Sequence, residues 1–255
     1  MLKFENMKTL RVLLVGFGLI VALGCKNDEP NPEPQPEVTS RVTVQPFFGA
    51  QTLYLDSTYT TVEGYDVQFT DIKFYIGNPA FAGNVVKDAG LFDYRNRGTL
   101  LFEVNSDQSS FANLGGYLGI DSTVNHNDPA AFPNESMLNI TNANDMHWGW
   151  NPGYIFVKVE AKVDTIADLN PLFDHFVTFH IGQDVNIQNL SFTGFNWTDL
   201  GNVYELPLKL DMATFLQNGG TTIDLKTEYT SHSMPGEEVL SNKVIVNFRD
   251  ALSLF

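Results

Sequence analysis

Two histidines and one methionine in the C-terminal half of the chain have side chains suited to binding a metal ion. His180 lies in the segment VTFHIG, and His232 and Met234 lie two residues apart in TSHSMP. Imidazole nitrogens together with a thioether sulfur favour a soft ion such as Cu(I) over Mg²⁺ or Ca²⁺. Their spacing alone is not diagnostic, because a histidine in a strand can also serve only in packing. The residues by themselves therefore leave both roles open.

A second group of candidate side chains lies in the segment MHWGWNPGY at residues 146–154. His147 supplies a further imidazole, and it is followed by Trp148 and Trp150, two of the three tryptophans in the chain. If this segment is extended, both indoles point to one face, where they could fill the end of a hydrophobic core. Packing is therefore the role that the residues alone suggest for the tryptophans.

The segments that must position these residues are short, rich in β-branched and aromatic residues, and bounded by Gly, Pro, Asn and Asp, which is typical of strands. Strands are predicted at 41–48, 67–77, 98–104, 154–163, 176–182, 202–210, 222–229 and 243–248. Short helices are predicted near 211–217 and within 125–140. The 20 phenylalanines suit the interior of two packed sheets. We therefore predict an all-β fold, an antiparallel two-sheet β-sandwich of the immunoglobulin-like type.

Alternation along the strands assigns side chains to faces. In the strand at 176–182, His180 is predicted to lie on the face opposite Val177 and Phe179. In the strand at 67–77, one face is predicted to carry the side chains of Val67, Phe69, Asp71, Lys73 and Tyr75.

The composition and the missing motifs exclude several function classes. The chain has 30 acidic and 15 basic residues and a net charge of −15. Such a surface repels phosphate groups, so we expect no nucleic-acid partner. The sequence has no G-x-S-x-G nucleophile motif, phosphate-binding glycine loop, EF-hand loop or H-E-x-x-H motif. We therefore expect the protein not to be an enzyme.

The beginning of the chain has the pattern of an exported lipoprotein. Basic residues precede the apolar run at 12–23, which predicts a signal peptide at 1–24. Cys25, the single cysteine, follows directly and is predicted to be the lipidated first residue of the mature protein, anchoring it in the outer membrane. The segment 25–40 is acidic and proline-rich, so we predict a tether to one domain at 41–255. The domain would face the periplasm or the cell exterior.

Five segments, in this order and spacing, resemble the MbnP-like copper-binding domain family. They are GYDVQFTDIKFYIGN (64–78), LGGYLGIDSTVN (114–125), MHWGWNPGYIFVKVEA (146–161), FHIG (179–182) and HSM (232–234). The family consists of exported β-sandwich proteins, and its lipoprotein members are common in Bacteroidetes. The KNDE sequence after the cysteine also resembles export signals of Bacteroidetes lipoproteins.

The resemblance implies copper binding, with His180 and His232 at the family's histidine positions and Met234 at its methionine position. His147 lies where members often carry another residue, commonly tyrosine, and it is a further candidate ligand. In some members a MauG-like dihaem partner enzyme is associated with converting a tryptophan to kynurenine. The resemblance therefore implies Trp148 or Trp150 as the oxidisable indole.

Two functions follow as expectations. The first is an exported, lipid-anchored copper-handling protein that favours Cu(I) and binds it through neutral histidines, so that binding weakens below a pH of about 6.5. The alternative is a metal-free cell-surface interaction module that binds a protein or a glycan through aromatic loops. A hydrolase would need a nucleophile or metal motif that the sequence lacks. The first function requires His180, His232 and Met234 to lie close together.

Overall fold

A computed structural model describes residues 37–143, 145–149, 153–166 and 172–255. The predicted signal peptide, Cys25, most of the predicted tether and Trp150 lie outside the described residues. The first strand begins at Thr39, two residues before the predicted start of the domain. Within the described ranges, no helix is both long enough and apolar enough to cross a membrane.

The described residues form mainly β-strands. In chain order the strands are β1 Thr39–Phe48, β2 Gln51–Thr52, β3 Thr58–Thr60, β4 Asp66–Phe81, β5 Asn84–Val85, β6 Ala89–Asp93, β7 Leu100–Val104, β8 Asn113–Leu118, β9 Ile155–Asp164, β10 His175–Gly182, β11 Gln188–Thr193, β12 Thr198–Asp199, β13 Val203–Asp211, β14 Gln217–Asn218, β15 Thr221–Thr222, β16 Thr230–Ser231 and β17 Leu252–Leu254. The helices in the same ranges are α1 Tyr94–Arg97, α2 Ser122–Asn125, α3 Met212–Leu216 and α4 Glu238–Ala251, with short 3-10 helices at Pro129–Ala131 and Asp184–Asn186.

In the part of the chain that the structure describes, these strands form two main sheets and a small β14-β15 pair. The first sheet has the order β12-β13-β1-β2, with β17 added to β13 and β7 added to β1. The second sheet has the order β11-β8-β4-β9-β10-β16, with β3, β5 and β6 paired to β4. Most pairs are antiparallel, but β1 runs parallel to β13 and β10 runs parallel to β16. The predicted all-β, two-sheet sandwich is confirmed.

The main hydrophobic core lies between the two sheets. Val44 of β1 and Leu208 of β13 are fully buried, and so are Phe74 of β4 and Val159 of β9. All four belong to one cluster of buried side chains. Burying an apolar side chain of this size stabilises a fold by roughly 1.5–3 kcal/mol. Packing in this core therefore fixes the position of the second sheet. It thereby also fixes the strands that carry the side chains on the outer face of that sheet.

A β-bulge in β4 changes the face on which its side chains lie. The pairing of β4 with β9 shifts register between Phe69 and Asp71. Val67 and Phe69 lie in the main core before the shift, and Phe74 lies there after it. Tyr75 belongs to a separate cluster on the outer face. The predicted shared face of Phe69 and Tyr75 is therefore wrong, because the extra residue of the bulge reverses the alternation.

The predicted strand at 243–248 is also wrong, because the segment KVIVNF lies within α4. The buried apolar side chains of this helix are spaced so that they lie on one face: Val244, Ile245, Phe248 and Ala251. The consecutive β-branched residues at 244–246 favour a strand locally. Packing overrides that preference, since the Phe248 ring lies 5.3 Å from the ring of Phe74 in the core.

The predicted strand at 222–229 is wrong beyond its first residue. In the described structure, β15 ends at Thr222 and pairs only with β14. The carboxylate of Asp224 then accepts hydrogen bonds from the Lys226 N–H and the Thr227 hydroxyl. Aspartate favours turns through bonds of this kind. The short helix predicted near 211–217 is confirmed as α3.

Candidate metal centre

The outer face of the second sheet, opposite the main core, carries His180. β10 alternates as predicted, with Val177 and Phe179 in the core and His180 on the other face. The His180 side chain is 17% exposed. β9 and β16 flank β10 on its two sides. The strand therefore holds the imidazole at a fixed place that solvent can reach.

The parallel pairing of β10 with β16 brings His232 beside His180. Phe179 is paired with Ser231, and His232 directly follows Ser231. The ring centroids of His180 and His232 are 5.0 Å apart, and the rings are nearly perpendicular at 83°. Two candidate ligands that are distant in the sequence therefore meet on one face of the sheet.

Glu237 holds the loop that carries His232 and Met234. Its Oε2 accepts hydrogen bonds from the N–H of His232 at 2.7 Å and from the N–H of Met234 at 3.0 Å. The Ser231 hydroxyl donates to the same oxygen at 3.2 Å. Burial opposes ionisation of Glu237, but these hydrogen bonds outweigh it and lower its pKa. The carboxylate is therefore ionised at neutral pH and orders the loop.

Met234 lies on this loop with 39% of its surface exposed. Ser233, between His232 and Met234, has a left-handed φ of 55°, which turns the chain at this point. The Ser233 hydroxyl accepts a hydrogen bond from the Gly182 N–H at 3.2 Å. The loop is therefore fastened to the end of β10, and part of the methionine side chain is accessible.

The histidine pair fits a soft ion that needs few ligands. Two imidazoles that share an ion through bonds of about 2 Å have ring centres at most about 6 Å apart, and His180 and His232 meet this condition. Within the described ranges, no group of three or more His, Cys, Asp and Glu side chains is placed to hold an ion. Hard cations such as Ca²⁺ take six or more oxygen ligands. The two imidazole nitrogens, with the Met234 thioether on the same loop as His232, favour a soft ion instead.

Burial lowers the pKa of His232, and the neighbouring His180 lowers it further, while Glu237 opposes both effects. A histidine must be neutral to bind a metal through its nitrogen. Because the pKa of His232 lies below 6.5, its ring stays neutral to a lower pH than an ordinary histidine would. His232 therefore offers a neutral nitrogen at a lower pH than an unperturbed histidine does.

His147 belongs to a different cluster on the outer face. Its ring packs edge-on against Tyr154 with centroids 5.0 Å apart, and its Nε2 is buried without a hydrogen-bond partner in the described structure. Burial lowers the pKa of His147, and Asp128 opposes that shift. Among the described residues, His147 forms no potential metal-binding group with His180 and His232. The structure therefore does not join this third predicted ligand to the pair.

Trp148 packs at the end of β10, close to the strand position of His180. It is 7% exposed and lies in the same outer cluster as Tyr154. A Cβ atom added to Gly182 would come within 2.6 Å of the Trp148 ring. Since the Gly182 N–H donates to Ser233, the indole lies next to the point where the His232 loop is fastened. Trp148 therefore contributes to packing beside the histidine pair.

The chain can also be compared with known proteins. The family model described as MbnP matches residues 37–235, which include the histidine pair and its loop. The chain belongs to the MbnP family. Among solved structures, MbnP from Methylosinus trichosporium matches with 14% sequence identity over 80% of this chain and 86% of that chain, at a TM-score of 0.48. No curated protein sequence matches the chain.

This MbnP family member carries a partly buried charge cluster beside the histidine pair. Lys158 of β9 contacts three carboxylates, those of Asp71 at 3.2 Å, Glu160 at 3.3 Å and Asp145. Lys73 of β4 contacts Asp71 at 3.4 Å and Asp145 at 2.7 Å. Burial would lower the pKa of Lys158, but the carboxylates outweigh it and raise that pKa. Both lysines are therefore charged, and the cluster is held together by ion pairs.

Glu160 connects this charge cluster to the candidate metal centre. The Nε2 of His180 donates a hydrogen bond to its Oε1 at 2.9 Å. This bond and, to a smaller extent, the nearby Lys158 lower the pKa of Glu160 to about 2, against the opposing effect of burial. Glu160 is not among the site residues predicted from the sequence. The sequence does contain a signal for this residue. Lys158 and Glu160 alternate with Val157 and Val159, and this alternation places the two charged side chains on the face opposite the core.

Replacing Gly182 with alanine is expected to displace Trp148 and destabilise this MbnP domain. The new Cβ would lie 2.6 Å from the indole and 2.6 Å from the backbone oxygen of Tyr154, so the surroundings must shift. Overpacking of this kind typically costs about 1–3 kcal/mol. Urea unfolding followed by tryptophan emission should show a lower midpoint and a red-shifted native spectrum.

Gly149→Ala provides the matched control, because among the described residues a Cβ at Gly149 meets no atom within 4 Å beyond its chain neighbours. It changes the same residue type directly beside Trp148, and we expect an unchanged midpoint. Equal losses of stability in the two variants would contradict the contact between Trp148 and Gly182 as the cause.

Proposed function

We propose that this MbnP family member is an exported copper-binding protein that holds Cu(I) between His180 and His232. The observation that carries the proposal is the 5.0 Å separation of the two rings, which results from the parallel pairing of β10 with β16. Membership of the MbnP family supports copper as the ion, because the resemblance to MbnP-like domains implies copper handling.

The two imidazoles would be the principal ligands, and the thioether of Met234 a softer additional one. Imidazole and thioether groups suit Cu(I). Burial keeps His232 neutral, and Glu237 orders the loop on which His232 and Met234 lie. Bound copper supplies a soft Lewis acid that can exchange one electron. The residues of the chain bind that ion and orient its ligands, so we propose binding and handling of copper without catalytic turnover.

Trp148 would shield the ion from water or become the oxidised indole of the site. Its burial at the end of β10 supports shielding, and its closeness to the His232 loop supports a role in maturation. Conversion to kynurenine would require a partner that withdraws four electrons from the indole while its C2–C3 bond is cleaved, two oxygen atoms are added and the formyl carbon leaves as formate. A MauG-like dihaem enzyme is the proposed partner. Trp150 is the second candidate for this oxidation.

The proposed location is the outer membrane, through a lipid on Cys25. The acidic, proline-rich composition of the residues after Cys25 supports a tether between this anchor and the domain. The copper site would then face the periplasm or the cell exterior.

Metal content and intact mass, measured together on the exported protein, test the proposal. The protein is purified from its native host after growth with copper. Stoichiometric copper with the mass shift of an oxidised tryptophan would support both the site and its maturation. Copper without that mass shift would support a His/Met copper site and contradict the conversion of a tryptophan to kynurenine. A protein that contains no copper and takes up no added Cu(I) would contradict the proposal and favour the metal-free interaction module.

A further inference from the structure

The hydrogen bond between His180 and Glu160 determines which nitrogen of His180 is available to an ion. The two atoms involved, Nε2 and Oε1, are 2.9 Å apart. An ionised carboxylate only accepts hydrogen bonds, so Nε2 carries the hydrogen. In a neutral imidazole the other nitrogen, Nδ1, then has the free lone pair.

The carboxylate of Glu160 contacts Lys158 of its own strand and His180 of the neighbouring strand. Glu160 lies on β9, where its partners across the strands are Asp71 of β4 and Thr178 of β10. Lys158 compensates its negative charge at 3.3 Å. Lys158 is in turn fixed by its ion pairs with Asp71 and Asp145. Glu160 therefore presents a fixed acceptor to the imidazole, and a rotation of the His180 ring would break that bond.

We propose that Glu160 is a positioning residue that holds His180 in the Nε2–H tautomer, so that Nδ1 is the nitrogen that binds the ion. The inference rests on the proposed copper function, to which it adds a residue outside the ligand set and the binding atom. A carboxylate on the non-binding nitrogen orients the ring and increases the basicity of the other nitrogen. Glu237 acts differently, because it accepts hydrogen bonds from the backbone on either side of Ser233 rather than from an imidazole.

The tautomer can be measured without copper. Long-range ¹H–¹⁵N correlation spectra of the metal-free, ¹⁵N-labelled exported protein distinguish the two tautomers of each neutral histidine, and His180→Ala identifies the signals of His180. We expect the Nε2–H form in the wild type and a mixture in Glu160→Ala. Glu160→Gln should retain the wild-type form, since its amide oxygen can still accept from Nε2. Glu103→Gln is the matched control, because Glu103 pairs with Arg41 in the other sheet.

Competition with a chromogenic Cu(I) chelator then measures affinity in the same set of proteins. We expect Glu160→Ala to weaken Cu(I) binding about 10- to 100-fold, which is the usual effect of removing a residue that supports a metal ligand. Glu160→Gln should recover much of this loss, and Glu103→Gln should bind as the wild type does. A role of Glu160 in stability alone would leave the tautomer of His180 unchanged.

The outcomes separate this inference from the proposed function. A wild-type spectrum with the hydrogen of His180 on Nδ1 overturns the inference, whether or not any variant folds. Equal Cu(I) affinity in the wild type and a folded Glu160→Ala also overturns it while the copper function stands. If the wild-type protein has the Nε2–H form of His180 but binds no Cu(I), the proposed copper function is wrong. The assignment of Nδ1 as a copper ligand is then wrong as well.

Discussion

Replacing both His180 and His232 with alanine is expected to weaken Cu(I) binding about 10⁴-fold. Structural zinc sites derive about 10–16 kcal/mol from four ligands, so one nitrogen ligand contributes on the order of 3 kcal/mol, or about 10²-fold in affinity. Each single variant should therefore lose about 10²-fold, and the double variant about 10⁴-fold. Competition titration with a Cu(I) chelator measures all three values.

The control for this experiment is the double variant His126→Ala/His175→Ala. His126 is exposed, and His175 begins β10, where its ring stacks on Tyr229 at 4.7 Å. These changes remove the same number of imidazoles away from the proposed site, so the affinity should stay at the wild-type value. If the His180/His232 double variant kept the wild-type affinity, the proposed site would be wrong. Losses shared equally by both double variants would point to non-specific binding by surface histidines.

Replacing Lys158 with methionine is expected to lower the free energy of unfolding by about 3–5 kcal/mol, the usual cost of removing one partner of a buried ion pair. The Lys158 side chain is only 7% exposed, and that of its partner Asp71 is 12% exposed. Methionine keeps most of the volume but leaves Asp71 and Glu160 with less compensation of their charge. Urea unfolding at pH 7 measures the loss.

The stability deficit of the Lys158 variant should depend on pH. Burial raises the pKa of Asp71 above its usual value even though Lys73 and Lys158 oppose the shift. Lowering the pH through this raised pKa protonates Asp71, and a neutral carboxyl no longer needs a cation. The deficit should therefore shrink as the pH falls from 7 through this raised pKa. Lys226→Met, at an exposed position, is the control and should change stability by less than about 0.5 kcal/mol. A deficit in the control as large as in Lys158→Met would contradict the burial argument.

The alternation of apolar and polar residues was sufficient to assign the side chains to faces where a strand has one buried face. The alternation in β10 places Val177 and Phe179 in the core and His180 outside, as the sequence predicts. The hydrophobic pattern did not predict the structure where a tertiary feature changes the spacing of the buried residues. The bulge between Phe69 and Asp71 reverses the faces of β4, and core packing converts the β-branched segment of α4 into a helix.

The sequence by itself determined the sandwich class, the MbnP resemblance and the types of donor available, because these depend on composition, alternation and short motifs. The tertiary structure alone decided which donors meet. His232 reaches His180 because β16 pairs parallel to β10, and His147 is instead packed against Tyr154. Glu160 contacts His180 because β9 pairs antiparallel with β10, the next strand along the chain. Pairing between strands distant in the chain leaves no mark in the local pattern of either one, since a strand's own alternation specifies its faces but not its neighbours.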